Sequence, residues 1–131
     1  MLKGIDHVAI AVPSVDEALP LWRDRFGFDL EDIEVVQSQQ VRVAILTKGP
    51  HRIELMEPTE DDSPVGRFLA RRGPGIHHLC LGVDGIEVML DDLGAAGVRL
   101  VDEEPKPGAH DKRVAFVHPK GTGGVLVELS E

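Results

Sequence analysis

The sequence predicts an α+β protein that contains two copies of a βαβββ unit. Each half of the chain begins with a short apolar strand, continues with a helix, and then has three further strand-like segments. Both copies also place a histidine near the start of the first strand and a glutamate in the last. The spacing between these two residues is similar, from His7 to Glu54 and from His78 to Glu128.

The first strands of the two copies, Ile5–Val12 and Ile76–Val83, align with one another. Both segments are short and largely apolar, and both have histidine at the third position. Apolar runs of this length are typical of strands in a protein core. We therefore expect His7 and His78 to occupy equivalent places in two equivalent strands.

A helix start follows each of these strands. Ser14 and Glu17 form a capping box, in which the serine oxygen accepts from a backbone N–H of the first turn. Asp84 and Glu87 have the same offset and predict the same arrangement in the second copy. Apolar side chains then recur at helical spacing, and a glycine closes each helix. The apolar residues are Ala18, Leu19, Trp22 and Phe26 in the first copy and Ile86, Leu90 and Leu93 in the second, and the glycines are Gly27 and Gly97.

Three strand-like segments complete each copy, at about residues 28–36, 41–46 and 52–56 and at about 99–102, 113–117 and 125–129. Between the copies, Ser63 and Pro64 begin a short connecting helix, because serine is a good N-cap and proline is tolerated in the first turn. The sequence therefore predicts a first unit at about residues 4–58, a connector at about 63–73 and a second unit at about 75–130.

Composition limits the classes of function. The 131-residue chain has a formal net charge of −9, which argues against a nucleic-acid partner, because phosphate binding needs a basic surface. Its apolar runs are too short to span a bilayer and no secretory signal pattern is visible, so we expect a cytoplasmic protein with no membrane partner. Cys80 is the only cysteine, which fits a buried thiol in a reducing compartment.

The two glutamates in apolar strands point to a metal site. Alternate side chains of a strand face the same side, so apolar neighbours in the core leave Glu54 and Glu128 on the other face. A carboxylate in a partly enclosed concavity is costly unless it is paired or bound to a cation. With His7 and His78, the glutamates make a set of nitrogen and oxygen ligands that suits octahedral Co²⁺, Mn²⁺, Ni²⁺ or Fe²⁺, with tetrahedral Zn²⁺ also possible.

The other histidines have no partner in the opposite copy. His77 is next to His78 and therefore faces the other side of its strand, so we interpret it as a non-ligand. His51 is expected to be exposed. His110 and His118 are in predicted loops that border the concavity of the predicted metal site, which makes them candidates for substrate contact.

These motifs resemble the vicinal oxygen chelate superfamily, which includes glyoxalases and bleomycin resistance proteins, and within it the methylmalonyl-CoA epimerases. The resemblance covers essentially the whole chain. The double histidine, the loop that ends at His110 and the segment from His118 to Glu128 are the parts most specific to the epimerases. The matching segments are Ile5–Ala9, Gly75–Leu79, Asp102–His110, His118–Lys120 and Gly123–Leu129.

The resemblance implies a single domain over residues 1–131, with the two units forming a cupped mixed sheet around one divalent ion, Co²⁺ by expectation. The implied reaction interconverts the (R) and (S) forms of methylmalonyl-CoA, a CoA thioester, by proton removal and redelivery at C2 through an enolate. A homodimer is also implied. Carried over by position, the metal ligands are His7, Glu54, His78 and Glu128, and the substrate-binding residues are His110, His118 and Lys120.

One departure from the family affects the acid–base residues. In some epimerases glutamine stands at the position of Glu54, and a further glutamate, a proposed catalytic base, stands near the position of Val43. Because valine cannot exchange a proton, we expect Glu128 and Glu54 to be the catalytic pair. Two alternatives stay open at this point, a lactoylglutathione lyase of the glyoxalase I type and a non-catalytic small-molecule-binding protein of the same fold.

Overall fold

The computed structural model describes all 131 residues of the chain. They form two compact units. The N-terminal unit is His7–His77, and the C-terminal unit is His78–Glu131 together with Met1–Asp6. The elements are β1 Leu2–Ala11, α1 Val15–Leu19, β2 Asp29–Val36, β3 Val41–Lys48, β4 His51–Pro58, α2 Pro64–Arg72, β5 Gly75–Val83, α3 Ile86–Ala95, β6 Lys106–Pro107, β7 Arg113–Val117, α4 Pro119–Thr122 and β8 Val127–Ser130.

In the N-terminal unit the strand order is β2-β3-β4-β1. β1 pairs with β4 in parallel, whereas β2 and β4 both pair with β3 in the antiparallel sense. One face of this sheet forms a hydrophobic core with α1, because alternate strand residues such as Ile10, Leu46 and Leu55 pack with Val15 and Leu19 of the helix. This unit therefore has the predicted order of strand, helix and three strands.

The C-terminal unit repeats this plan with the order β5-β8-β7-β6, in which β5 and β8 form the parallel pair. Its core contains Leu129, Ala115 and Val83 from the strands and Ile86 and Leu90 from α3. The predicted βαβββ repeat and the α+β class are thus confirmed.

The first helix is less regular than its apolar spacing predicts. α1 ends at Leu19, and Pro20–Arg25 continue as a π-helical turn in which the Phe26 N–H donates to the Leu21 oxygen at 2.8 Å. The change follows from Pro20, which has no N–H to donate to the preceding turn. Phe26, the last of the apolar residues at helical spacing, is 61% exposed, and its ring lies edge-on to Trp22.

Asp84 does not cap α3, and this prediction is also wrong. Gly85 is the N-cap, in a left-handed conformation with φ +72, and the carboxylate of Glu131 accepts from the N–H groups of Gly85 and Ile86. The first copy uses the same device, because Glu57 accepts from the Val15 N–H at 2.8 Å. In each copy, then, a glutamate three residues after the predicted ligand fixes the helix start to the end of the last strand.

Glu131 makes the stability of the C-terminal unit depend on pH. The donors at Gly85 and Ile86, followed by Arg113, hold the pKa of Glu131 below its ordinary value. A lowered folded-state pKa gives stability that is present above the unfolded value of about 4.3 and is lost as pH falls through the folded value. We expect Glu131→Gln to lower the Tm at pH 7, with the difference shrinking toward pH 3. Scanning calorimetry checks this, with the exposed Glu104→Gln as control, and an equal difference at both pH values would contradict it.

Two further segments test the predicted boundaries. α2 begins as expected, since the Ser63 Oγ accepts from the Gly66 N–H at 3.1 Å and Pro64 is the first helical residue. The predicted strand at about 99–102 is wrong, because only Leu100 forms a bridge, to Val117, and β6 lies further on.

None of the helices combines the length and apolarity needed to cross a membrane.

Candidate active site

The N-terminal unit holds one histidine and one glutamate together on the sheet face opposite α1. Ile53 and Leu55 pack in the core under α1, so Glu54 projects from the other face, as predicted. Glu54 and His7 are 7% and 5% exposed, and the Glu54 Oε2 lies 3.1 Å from the His7 Nδ1. The Arg52 Nε is 3.6 Å from the same oxygen. The unit therefore presents a buried imidazole–carboxylate pair.

The C-terminal unit holds the equivalent pair. Val127 and Leu129 belong to the core under α3, which leaves Glu128 on the opposite face. Glu128 and His78 are 5% and 3% exposed, and the Glu128 Oε1 lies 3.6 Å from the His78 Nε2. Two copies of one unit thus bury the same two functional groups at the same positions.

The chemistry of these four groups fits a divalent ion. Imidazole nitrogen and carboxylate oxygen are ligands that borderline transition-metal ions accept, and a buried carboxylate is costly without a charged or hydrogen-bonding partner. Each unit supplies one donor of each kind. Binding of a single ion by both pairs stays a prediction.

Phe116 is a site residue that the sequence analysis missed. It stands directly opposite Glu128 in the β7–β8 pair, and its ring lies edge-on to the His78 ring, with centroids 5.2 Å apart. The Lys106 Nζ lies 5.2 Å from the Phe116 ring centroid, and Asp102 binds both Lys106 and the Phe116 N–H. Phe116 therefore restricts the orientation of the His78 ring. The available signal was strand alternation, which places Phe116 and Val114 on one face.

The predicted substrate-binding residues lie in the C-terminal unit. His110 is partly buried in the turn Ala109–Asp111, with a left-handed φ of +55. The His118 Nδ1 accepts from the Lys120 N–H at 3.0 Å and caps α4. Burial, together with the charges of Arg99 and Lys120, lowers the pKa of His118, so a neutral ring remains available as an acceptor at pH 7. Substrate contact by these residues stays a prediction.

The remaining histidines and the cysteine are placed as expected. His77 packs against the Phe68 ring of α2, with ring centroids 5.0 Å apart, rather than beside His78. His51 is exposed at the start of β4. Cys80 is fully buried, opposite Glu128 in the β5–β8 pair.

A family model and a curated relative both match most of this chain. Residues 6–116 match the family model of the glyoxalase/bleomycin resistance protein/dioxygenase superfamily. A mitochondrial methylmalonyl-CoA epimerase of Dictyostelium discoideum is 41% identical, over 97% of this chain and 77% of that protein.

Solved structures of similar proteins have the same fold. A methylmalonyl-CoA epimerase from Mycobacterium tuberculosis is 39% identical with a TM-score of 0.94, over 99% of this chain and 88% of that chain. A methylmalonyl-CoA epimerase in complex with methylmalonyl-CoA and NH4+ is 37% identical with a TM-score of 0.94, over 99% of this chain and 94% of that chain. The predicted fold class is therefore confirmed by structural likeness as well as by the repeat.

Proposed function

Since the chain belongs to the glyoxalase/bleomycin resistance protein/dioxygenase superfamily and, within it, to the methylmalonyl-CoA epimerases, which are isomerases, we propose that it interconverts (R)- and (S)-methylmalonyl-CoA. The observation that carries the proposal is the pair of buried imidazole–carboxylate contacts, one in each unit, in a chain that matches these epimerases over nearly its whole length.

The same proposal includes one divalent ion held by His7, Glu54, His78 and Glu128. The ion would stabilise negative charge that develops on the thioester and carboxylate oxygens of the substrate. The burial of all four side chains supports this ligand set, because a dry site strengthens the interaction between a cation and its carboxylates. Co²⁺ as the native ion, His110, His118 and Lys120 as substrate contacts, the homodimer and the cytoplasmic location remain predictions.

The reaction requires two groups that exchange protons. The C2 hydrogen lies between a thioester and a carboxylate, and its removal leaves an enolate that must be protonated on the opposite face for inversion. We assign Glu128 to one face. A carboxylate of the N-terminal unit serves the other, and Glu54, directly or through a water molecule, is the candidate from the sequence. The buried contact between Glu128 and His78 supports the assignment of Glu128.

A direct comparison of two substrates tests the proposed function. The purified chain, loaded with Co²⁺, is assayed with (S)-methylmalonyl-CoA and separately with methylglyoxal plus glutathione. We expect interconversion of the methylmalonyl-CoA epimers and no lactoylglutathione. The opposite pattern would identify a lactoylglutathione lyase, and inactivity on both substrates in a metal-loaded chain would favour a binding protein.

A further inference from the structure

A second carboxylate lies on the sheet face that carries the His7–Glu54 pair. In the antiparallel β2–β3 pair, Glu34 stands directly opposite Val43, and directly opposed side chains project to the same face. Val43 in turn stands opposite Met56, which is two residues from Glu54 and shares its face of β4. Glu34 therefore shares a face with His7 and Glu54 and stands next to Val43.

The surroundings of Glu34 set it apart from a solvated surface acid. On the same face, Val36, Val41 and Val43 are 6%, 0% and 2% exposed, and Glu34 is itself partly buried. A carboxylate on an apolar surface loses part of its hydration, and such costs concentrate at functional sites. This position favours a catalytic role for Glu34 over a role as a surface charge that keeps the protein soluble.

Asp32 shares this face but is tied to its own strand. Its Oδ1 accepts from the Ile33 N–H at 2.8 Å, next to the irregularity in pairing between Leu30 and Asp32. Asp32 is also more exposed than Glu34 and has a side chain one carbon shorter. Of Asp32 and Glu34, Glu34 is therefore the carboxylate with the longer reach from the strand.

Glu54 is held in place by two neighbouring side chains. Its Oε2 lies 3.1 Å from the His7 Nδ1 and 3.6 Å from the Arg52 Nε, so the carboxylate is fixed close to β4. The strands β2 and β4 are two strand spacings apart, roughly 10 Å. Glu34 and Glu54 therefore project from the same face, separated by the strand β3.

We propose that Glu34, in place of Glu54, is the acid–base group that serves the second face of the substrate; this inference rests on the proposed epimerase function. In one direction the Glu34 carboxylate takes the C2 proton and the electron pair of the C–H bond passes into the enolate. That pair then forms a new C–H bond on the opposite face with a proton from protonated Glu128. The reverse reaction exchanges the two roles. Before a further turnover in the same direction, Glu34 releases its proton to water and Glu128 takes one up from water, so no other co-reactant is needed.

The test follows deuterium incorporation at C2 by NMR, starting from each pure epimer in D2O, for Glu34→Gln loaded with Co²⁺. We expect interconversion to slow by about 10²–10⁴-fold, the usual contribution of one acid–base group. One epimer should still exchange its C2 hydrogen through Glu128 without inverting. Elemental analysis should give the same metal content as the wild type, and the exposed Glu31→Gln serves as the matched control on the same strand.

Two results would overturn the proposal. Interconversion at the wild-type rate by Glu34→Gln would show that Glu34 moves no proton. Equal loss of exchange from both epimers, or loss of the metal, would show that it only supports the structure. Both results are read against a wild type that interconverts the epimers. If the wild type does not interconvert them, the proposed function itself is wrong.

Discussion

Glu128→Gln is expected to slow epimerisation by about 10²–10⁴-fold, because it removes one of the two groups proposed to exchange a proton with C2. Glu128 is 5% exposed, contacts His78, and stands between Cys80 and Phe116 in the sheet. Glutamine has nearly the same size and can still accept a hydrogen bond, so the strand should keep its place. Glutamine cannot ionise, so the variant loses the ability to take up and release a proton.

The rate is measured at saturating Co²⁺ with the metal content determined in parallel, so that a change in metal affinity is separated from a change in proton transfer. Glu131→Gln is the matched control, since it lies three residues further on and serves the start of α3 instead of the site. If Glu128→Gln retains its metal and interconverts the epimers as fast as the control, Glu128 is not an acid–base group.

Removal of the metal is expected to have an effect of similar size. In the proposed mechanism the bound ion would stabilise the charge of the enolate by several kcal/mol, so dialysis against a chelator should lower the rate by about 10²–10⁴-fold. Adding Co²⁺ should restore the rate. His78→Ala should reproduce the loss without a chelator, because it deletes one of the four proposed ligands.

His77→Ala is the control for this prediction. It is adjacent in sequence, but its ring packs on Phe68 of α2, so the variant should bind one ion and keep its activity. Metal content by elemental analysis and epimerisation rate are measured for both variants. Equal metal binding by His78→Ala and His77→Ala would contradict the proposed ligand set.

Sequence reasoning correctly predicted the features that depend on residues recurring at a regular spacing along the chain. His7 and His78 recur at one position of a repeated apolar strand, and alternation within β4 and β8 is enough to place Glu54 and Glu128 opposite the helix-covered core. Burial of both pairs follows from the same pattern. Residues that are unremarkable singly become candidate metal ligands because the repeat relates them.

The features that sequence reasoning missed depend on contacts between distant segments. Glu131 caps α3 from the far end of the chain, where a search for a cap next to the helix finds Asp84 instead. The segment near Leu100 has the composition of a strand, but it meets β7 at a single bridge. Glu34 reaches the site face through the β2–β3 register, and a sequence without that register gives no reason to pair it with Val43.

The most direct test of the proposed epimerase function is solvent exchange by the wild-type chain. Each pure epimer of methylmalonyl-CoA is incubated in D2O with the Co²⁺-loaded protein, and C2 is followed by NMR. We predict that both epimers gain deuterium at C2 and converge on the same mixture. If both epimers keep their C2 hydrogen and their configuration while the protein holds its metal, the chain does not perform the proposed reaction.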